Sequence, residues 1–297
     1  MARANAAYYA SGRFGRDFAT APEITQVFGE LLGAWARIVW QMLGAPENIL
    51  LAEAGPGRGV LIADALRAWP APRVHFIETS PALRAEQARR VPGAVWHEGL
   101  ATIPPGPLIL LANEFLDALP VRQFIRRETG WMERHVAQGA YVELPADYPL
   151  PDDPPGSVRE VNEAALAFCR QLAARGGIGL FIDYGPAESA AGESVQAIRA
   201  GRYADPLTHP GEADITAHVD FAAIRRAVPA QGPVKQNAFL TALGLYQRSD
   251  QLAQRHPARA LDLRLAVQRL TAPEAMGSLF KVLAVCPAHL PPLPGFA

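Results

Sequence analysis

The sequence predicts an α/β protein built on a mostly parallel, doubly wound sheet, and three observations carry that prediction. Apolar runs of strand length alternate with amphipathic helical segments along most of the chain. The run "GPLILLANEF" is apolar on both faces, as a central strand covered by helices on either side must be. The first strand runs directly into "EAGPGRG", a glycine-rich turn that opens a helix.

Taken in order, the elements support this reading. Ile24, Val27, Phe28, Leu31, Leu32, Trp35, Val39 and Met42 recur at helical spacing. Thr20 and Glu23 suggest a capping box for that helix, and Gly29 and Gly33, one turn apart, leave room for another backbone. Ile49 to Ala52 is the first strand; Val60, Leu61, Ala65 and Leu66 mark the helix after it. "RVHFIETS" and "PALRAEQARR" are the second strand and helix, "GAVWHEG" the third strand and "GPLILLANEF" the fourth.

Residues 121–157 read as an antiparallel excursion, with turns at Thr129–Gly130 and Gln138–Gly139. Ser157 and Glu160 suggest a second capping box, before a helix with Val161, Ala165, Phe168 and Leu172 on one face. "GGIGLFIDYG" is the next buried strand, and Ser189 to Gly211 reads as a long loop. Helices follow from Phe239 to Pro273, and "SLFKVLAVC" closes the sheet. The whole chain, 1–297, reads as one domain: an N-terminal lid and helix (1–48), a core sheet (49–238), a helical insertion (239–275) and a closing strand with its tail (276–297).

Composition narrows the function. A formal net charge of −1 gives no basic field for general nucleic-acid binding. No apolar run approaches the length of a membrane span. The two cysteines, Cys169 and Cys286, have no metal-ligand spacing and fit buried free thiols in a reducing compartment. With no apolar run of signal-peptide length at the beginning, the expected location is cytoplasmic.

The chemistry concentrates in two motifs. In "EAGPGRG", Gly55, Gly57 and Gly59 alternate behind Glu53, so a ligand can touch bare backbone while the next helix offers N–H groups to an anion. An acid two places before the first glycine suits a ligand with a cationic amino group, and S-adenosylmethionine (SAM) carries one. A tight strand–helix turn is the plain alternative. The second strand favours the ligand, because it ends in Glu78, placed to accept both ribose hydroxyls. His97 to Gly99 lies where an adenine ring would be flanked.

"NEFLDALP" follows the fourth strand, where open α/β sheets bind ligands. Asn113, Glu114 and Asp117 are the catalytic candidates, and Asn113 is also a cofactor-binding candidate. Two carboxylates there can grip a guanidinium in paired hydrogen bonds. The competing reading is helix capping by Asn113, with the acids stabilising the first turn. Asp183 faces the same cleft or caps a turn. His218 and Asp220 form a His–Asp pair, with capping the expected role of Asp220.

With these motifs in order, the chain resembles the MidA family of SAM-dependent methyltransferases. The resemblance rests on "DFATAPEITQVFGELLGAW", "EAGPGRG", "IETSPALRAEQ", "NEFLDALPVRQF", "IDYG", "TAHVDF" and "MGSLFKVL", which span nearly the whole chain. Where the family tends to place glycine before the "DF" aspartate, this chain has Arg16. The resemblance implies a class I methyltransferase fold with extra helical material near the C-terminus. It also implies SAM bound at Gly55, Gly57, Gly59 and Glu78, and a protein acceptor, since mitochondrial members methylate an arginine of a complex I subunit. In that setting Arg13 to Thr25 is expected to close the cofactor cleft, with Phe14 or Phe18 excluding water and Asp17 meeting the substrate or an arginine. Three rivals stay open: a SAM-binding assembly factor with little turnover, a small-molecule methyltransferase and a nicotinamide-dependent oxidoreductase.

Overall fold

The computed structural model describes residues 1–10, 20–70 and 73–296. Its main sheet has seven strands: β1 (Leu50–Ala54), β2 (Arg73–Ile77), β3 (Val95–His97), β4 (Leu108–Asn113), β5 (Ile178–Tyr184), β6 (Ala230–Lys235) and β7 (Phe280–Val285). Their spatial order is β3-β2-β1-β4-β5-β7-β6. The first five run parallel, whereas β7 pairs antiparallel with both β5 and β6. The order reverses between β1 and β4, which places the crevice for a ligand beyond the carboxyl ends of those two strands.

Among the described residues ten α-helices accompany the sheet: α1 (Ala2–Ala10), α2 (Ala21–Ile24), α3 (Gln26–Met42), α4 (Val60–Ala68), α5 (Pro81–Arg90), α6 (Glu163–Ala174), α7 (Phe221–Ala227), α8 (Gln236–Ala242), α9 (Leu245–Arg255) and α10 (Ala260–Thr271). The two-residue period of the strands divides the core between two faces. Leu51, Ile109, Leu111 and Leu180 join Phe28, Trp35 and Leu61 on one side. Leu50, Leu108, Leu110 and Phe181 meet Leu166, Cys169 and Phe221 on the other. Both cysteines are buried free thiols.

The paired glycines of α3 have the role expected of them. A Cβ on Gly33 would lie 2.2 Å from the carbonyl oxygen of Ala65, and one on Gly29 would lie 2.8 Å from that of Leu61. α3 therefore packs backbone to backbone on α4, the helix that follows the glycine-rich turn. Gly33→Val is expected to cost about 3 kcal/mol, because rigid main chain has no route to yield. Urea unfolding measures this, and an unchanged midpoint would show that the two helices have slack.

Several local expectations need correction. The first helix is broken at Thr25, whose Oγ1 accepts the Val27 N–H at 3.3 Å. Thr20 makes no side-chain cap, and Glu23 instead pairs with Arg58 Nε at 2.7 Å, tying α2 to the glycine-rich turn. Residues Val158–Val161 form a strand, not a helix start, and Asn162 caps α6 through the Ala165 N–H. Glu160 binds the Ser194 backbone and hydroxyl.

The excursion closes into a four-stranded antiparallel sheet: Arg122–Arg127, Gly130–Ala137, Ala140–Pro145 and Val158–Val161. The segment read as a long loop contains strands Gln196–Arg199 and Arg202–Ala204, which join Asp214–Thr216 in a small sheet. Its hairpin turns at Ala200 and Gly201, both at positive φ. Strand β6 escaped the sequence reading because Pro233 and Gly232 interrupt its pattern, which an edge strand tolerates. Arg13, Phe14, Asp17 and Phe18 of the expected lid lie outside the described residues.

Candidate functional site

β1 delivers the glycine-rich turn to the crevice. Gly55, Gly57 and Gly59 have φ of +64°, +50° and +76°, conformations that side-chain-bearing residues rarely adopt. Space is also limited at Gly55, where a Cβ would come within 2.9 Å of the Phe115 ring. The turn borders a cavity of about 410 Å³, a volume suited to a small-molecule cofactor. Gly55 and Gly57 line it at the end of β1, Glu78 at the end of β2, and Glu98 and Gly99 after β3. Glu114 and Phe115 line it after β4.

Glu53 and Asn113 sit behind the same turn, against a small crevice that also touches Gly55 and Gly57. Both are buried, and neither Glu53 Oε2 nor Asn113 Oδ1 has a hydrogen-bond partner among the described residues. Unsatisfied acceptors in such a place require a donor. Burial, reinforced by nearby Glu78, pushes the Glu53 carboxyl up to about 8, against a hydrogen bond from the Ile62 backbone. An ammonium group arriving here would satisfy both oxygens and restore the carboxylate charge. The residues present therefore fit the methionine half of SAM.

Glu78 is held in place from both sides. Its Oε1 accepts the Ser80 N–H at 2.7 Å and its Oε2 accepts Gln87 Nε2 at 3.3 Å. Gln87 Nε2 also reaches the Gly57 carbonyl at 2.6 Å, coupling the acid to the turn. Burial raises the Glu78 carboxyl, and these hydrogen bonds oppose the rise. A carboxylate fixed this way can still accept from hydroxyls on its cavity side.

The segment after β4 separates the three catalytic candidates. Glu114 has φ +51°, a strained conformation for a residue with a side chain. Its N–H is fixed by the Ile182 carbonyl at 2.9 Å, and its Oε1 accepts Asn113 Nδ2 at 2.9 Å and the Ala21 N–H at 3.4 Å. Glu114 lines the cavity, and burial pushes its carboxyl up to about 7.

Asp117 hydrogen-bonds the Tyr184 side chain. It is buried, it does not line the cavity, and its Oδ1 has no hydrogen-bond partner among the described residues. Burial first, and then the neighbouring Asp183 carboxylate, raise its titration well above the usual range. Asp183 does not face the cleft. Its Oδ2 accepts the N–H groups of Leu116 and Asp117 at 3.0 and 3.2 Å, locking the segment after β4 onto β5.

Asp220 caps α7 through the Ala223 N–H, as expected. His218 is exposed, edge-on to Tyr184, and makes no cavity wall. His97 is also off the wall, which is built instead by Glu98 and Gly99.

One wall was not anticipated. Helix α1 roofs the cavity with Ala2, Asn5, Ala6 and Tyr9. Asn5 Nδ2 donates to the Ala118 and Ile215 carbonyls at 2.8 and 2.7 Å, and its Oδ1 accepts the Ile215 N–H. Tyr9 donates its hydroxyl to Asp214 at 2.8 Å, while Ser80 Oγ donates to the Tyr9 carbonyl at 3.0 Å. The only sequence sign of this roof was the aromatic pair Tyr8–Tyr9 ahead of the first strand.

Residues 31–238 match the family model of S-adenosyl-L-methionine-dependent methyltransferases. The chain belongs to this family. It is a SAM-dependent methyltransferase with the class I fold, and SAM is its cofactor. The mitochondrial protein arginine methyltransferase NDUFAF7 homolog of Drosophila melanogaster is 33% identical, over 96% of this chain and 80% of that protein. The human NDUFAF7 protein is 31% identical over 91% of this chain and 74% of its own length.

A COG1565 superfamily crystal structure from Burkholderia thailandensis, bound to S-adenosyl-homocysteine, superposes with a TM-score of 0.82 at 27% identity. It covers 96% of this chain and 83% of that one. The family removes the nicotinamide-dependent rival. The expected cytoplasmic location is corrected by the relatives, whose names place them in mitochondria. Among the described residues no helix is long and apolar enough to cross a membrane.

Proposed function

We propose that this methyltransferase modifies an arginine side chain of a protein, and that the whole chain, 1–297, acts as one catalytic domain. The observation that carries the reading is Glu114: an acid on the cavity wall, set on strained backbone one residue beyond the buried Asn113. An anion held there at a cost in conformational and desolvation energy suits a cationic acceptor. The names of the relatives support the arginine. The resemblance to the MidA family extends the proposal to a subunit of respiratory complex I or a related partner.

In this reading Gly55, Gly57 and Gly59 offer backbone to the methionine half of SAM, Glu53 and Asn113 meet its ammonium, and Glu78 holds its ribose. Bound SAM supplies an electrophilic methyl group on a sulfonium. Glu114 accepts hydrogen bonds from the guanidinium and aims one nitrogen at that carbon. As the nitrogen accepts that methyl group from the sulfonium, Glu114 would take the proton the nitrogen sheds. A carboxyl poised near 7 is matched to that transfer. Asp117 and Asp183 act behind it, by holding the segment and its negative field.

The test is SAM-dependent labelling of a cell extract, followed by mass spectrometry of the labelled protein. The expected product is a methylated arginine in a polypeptide. Label confined to small molecules, or to another side chain, would overturn the proposal.

A further inference from the structure

We propose that His75, His97 and Thr102 form a one-way hydrogen-bond relay that positions the adenosyl end of the cofactor cavity. It rests on reading that cavity as the SAM site. With Glu53 and Asn113 at the methionine end and Glu78 at the ribose, the adenine falls against the wall formed by Glu98 and Gly99 beyond β3.

The direction of the relay follows from its last member. Thr102 Oγ1 lies 2.9 Å from the Gly99 carbonyl oxygen, which can only accept, so the hydroxyl proton is committed there. Thr102 Oγ1 must then act as acceptor toward His97 Nδ1 at 3.2 Å, which places a proton on that nitrogen. His97 Nε2 is left with a lone pair and accepts from His75 Nδ1–H at 2.8 Å. All three bonds point from the sheet interior to the Gly99 carbonyl. Thr102 N–H reaches the same oxygen at 3.2 Å, and the His97 carbonyl accepts the Glu78 N–H at 3.0 Å.

His97 is thus the pivot between the ribose carboxylate and the adenine wall. Its main chain fixes Glu78, and its ring fixes Gly99 through Thr102. Arg175 holds the same turn from outside, donating to the carbonyls of Leu100, Ile103 and Pro104. Burial keeps both rings neutral, as the relay requires. The His97 ring, Arg175 and Arg73 act in the same sense on His75; at His97 a hydrogen bond to the Thr102 backbone opposes burial, and Arg84 reinforces it.

Thr102 is the place to test this, because it is solvent-exposed and its replacement leaves the core untouched. Valine has the shape of threonine without the hydroxyl; serine keeps the hydroxyl. Calorimetric titration with SAM and with adenosine compares the unchanged protein, Thr102→Val and Thr102→Ser, with a thermal melt of each. Thr102→Val is expected to weaken both ligands by roughly fivefold to tenfold, the effect of one lost hydrogen bond. Thr102→Ser is expected to bind like the unchanged protein, and all three to melt together. Equal binding by Thr102→Val, or equal weakness of the valine and serine variants, would overturn the relay alone. Absence of SAM binding by the unchanged protein would remove the underlying site, and the relay with it.

Discussion

Glu114→Gln is expected to lower methyl transfer by roughly 10²–10³-fold while SAM affinity stays near that of the unchanged protein. The amide keeps the size of the side chain but removes the charge that holds a guanidinium and the base that takes its proton. It also introduces an NH₂ group beside two donors, Asn113 Nδ2 and the Ala21 N–H, which now share Glu114 Oε1. If the amide oxygen keeps those two bonds, its nitrogen points a donor at the incoming substrate donors. Single-turnover transfer and calorimetric SAM binding together separate the two effects. Turnover within a few-fold of the unchanged protein would remove Glu114 from the chemistry, and lost SAM affinity would move it into the cofactor site.

A second large effect is expected in the pH dependence of SAM binding. The free protein holds Glu53 protonated up to about 8, because burial disfavours its carboxylate. The ammonium of SAM favours the ionised form, so the carboxyl titrates lower in the complex than in the free protein. Binding below that pH therefore releases a proton. By linkage, SAM affinity rises with pH, by up to about tenfold per unit between about pH 6 and 7.5. Above roughly pH 8 the amino group of the ligand itself loses its proton, and the rise ends. Glu53→Gln removes the titrating group, so its affinity is expected to be weaker and nearly flat over the same range. Calorimetry in buffers of different ionisation enthalpy counts the protons released. A pH-independent affinity in the unchanged protein would show that Glu53 does not meet the ammonium.

The two experiments address the two carboxyls that carry the reading, and they read different steps. Glu53 acts on binding of the cofactor and Glu114 on transfer, although both are driven upward by the same cause, removal from water. Asp117 and Asp183 are shifted by burial as well, yet the first is off the cavity wall and the second is spent on backbone N–H groups. A raised carboxyl is therefore evidence for a site only where geometry gives it something to meet.

The sequence by itself determined the parts of this protein whose contacts lie within one strand–turn–helix unit. "EAGPGRG" is such a unit, since glycines that tolerate positive φ must sit between a strand and a helix for a backbone cradle to form. Glu78 was legible for the same reason: a second strand of ordinary length puts the next strand end beside the first. The apolar periods of β1, β4 and β5 likewise dictated the doubly covered sheet. The pair Asn113–Glu114 was legible as a strand-end motif, but its division from Asp117 was not, because side-chain direction depends on the positive φ at Glu114.

What only the tertiary structure decided are the contacts made across long separations, where no local period records them. The roof formed by α1 depends on Asn5 meeting Ile215, 210 residues away in sequence. The relay joins His75 to His97 across two parallel strands, and nothing in either strand alone marks its partner. The segment from Ser189 to Gly211 reads as polar loop because its short strands have little apolar surface of their own. They are ordered by backbone pairing and by the packing of Ala197 and Ile215 against Ala4 and Ala213. Local sequence sets which backbone shapes are cheap, while distant packing sets which of them are used to close the site.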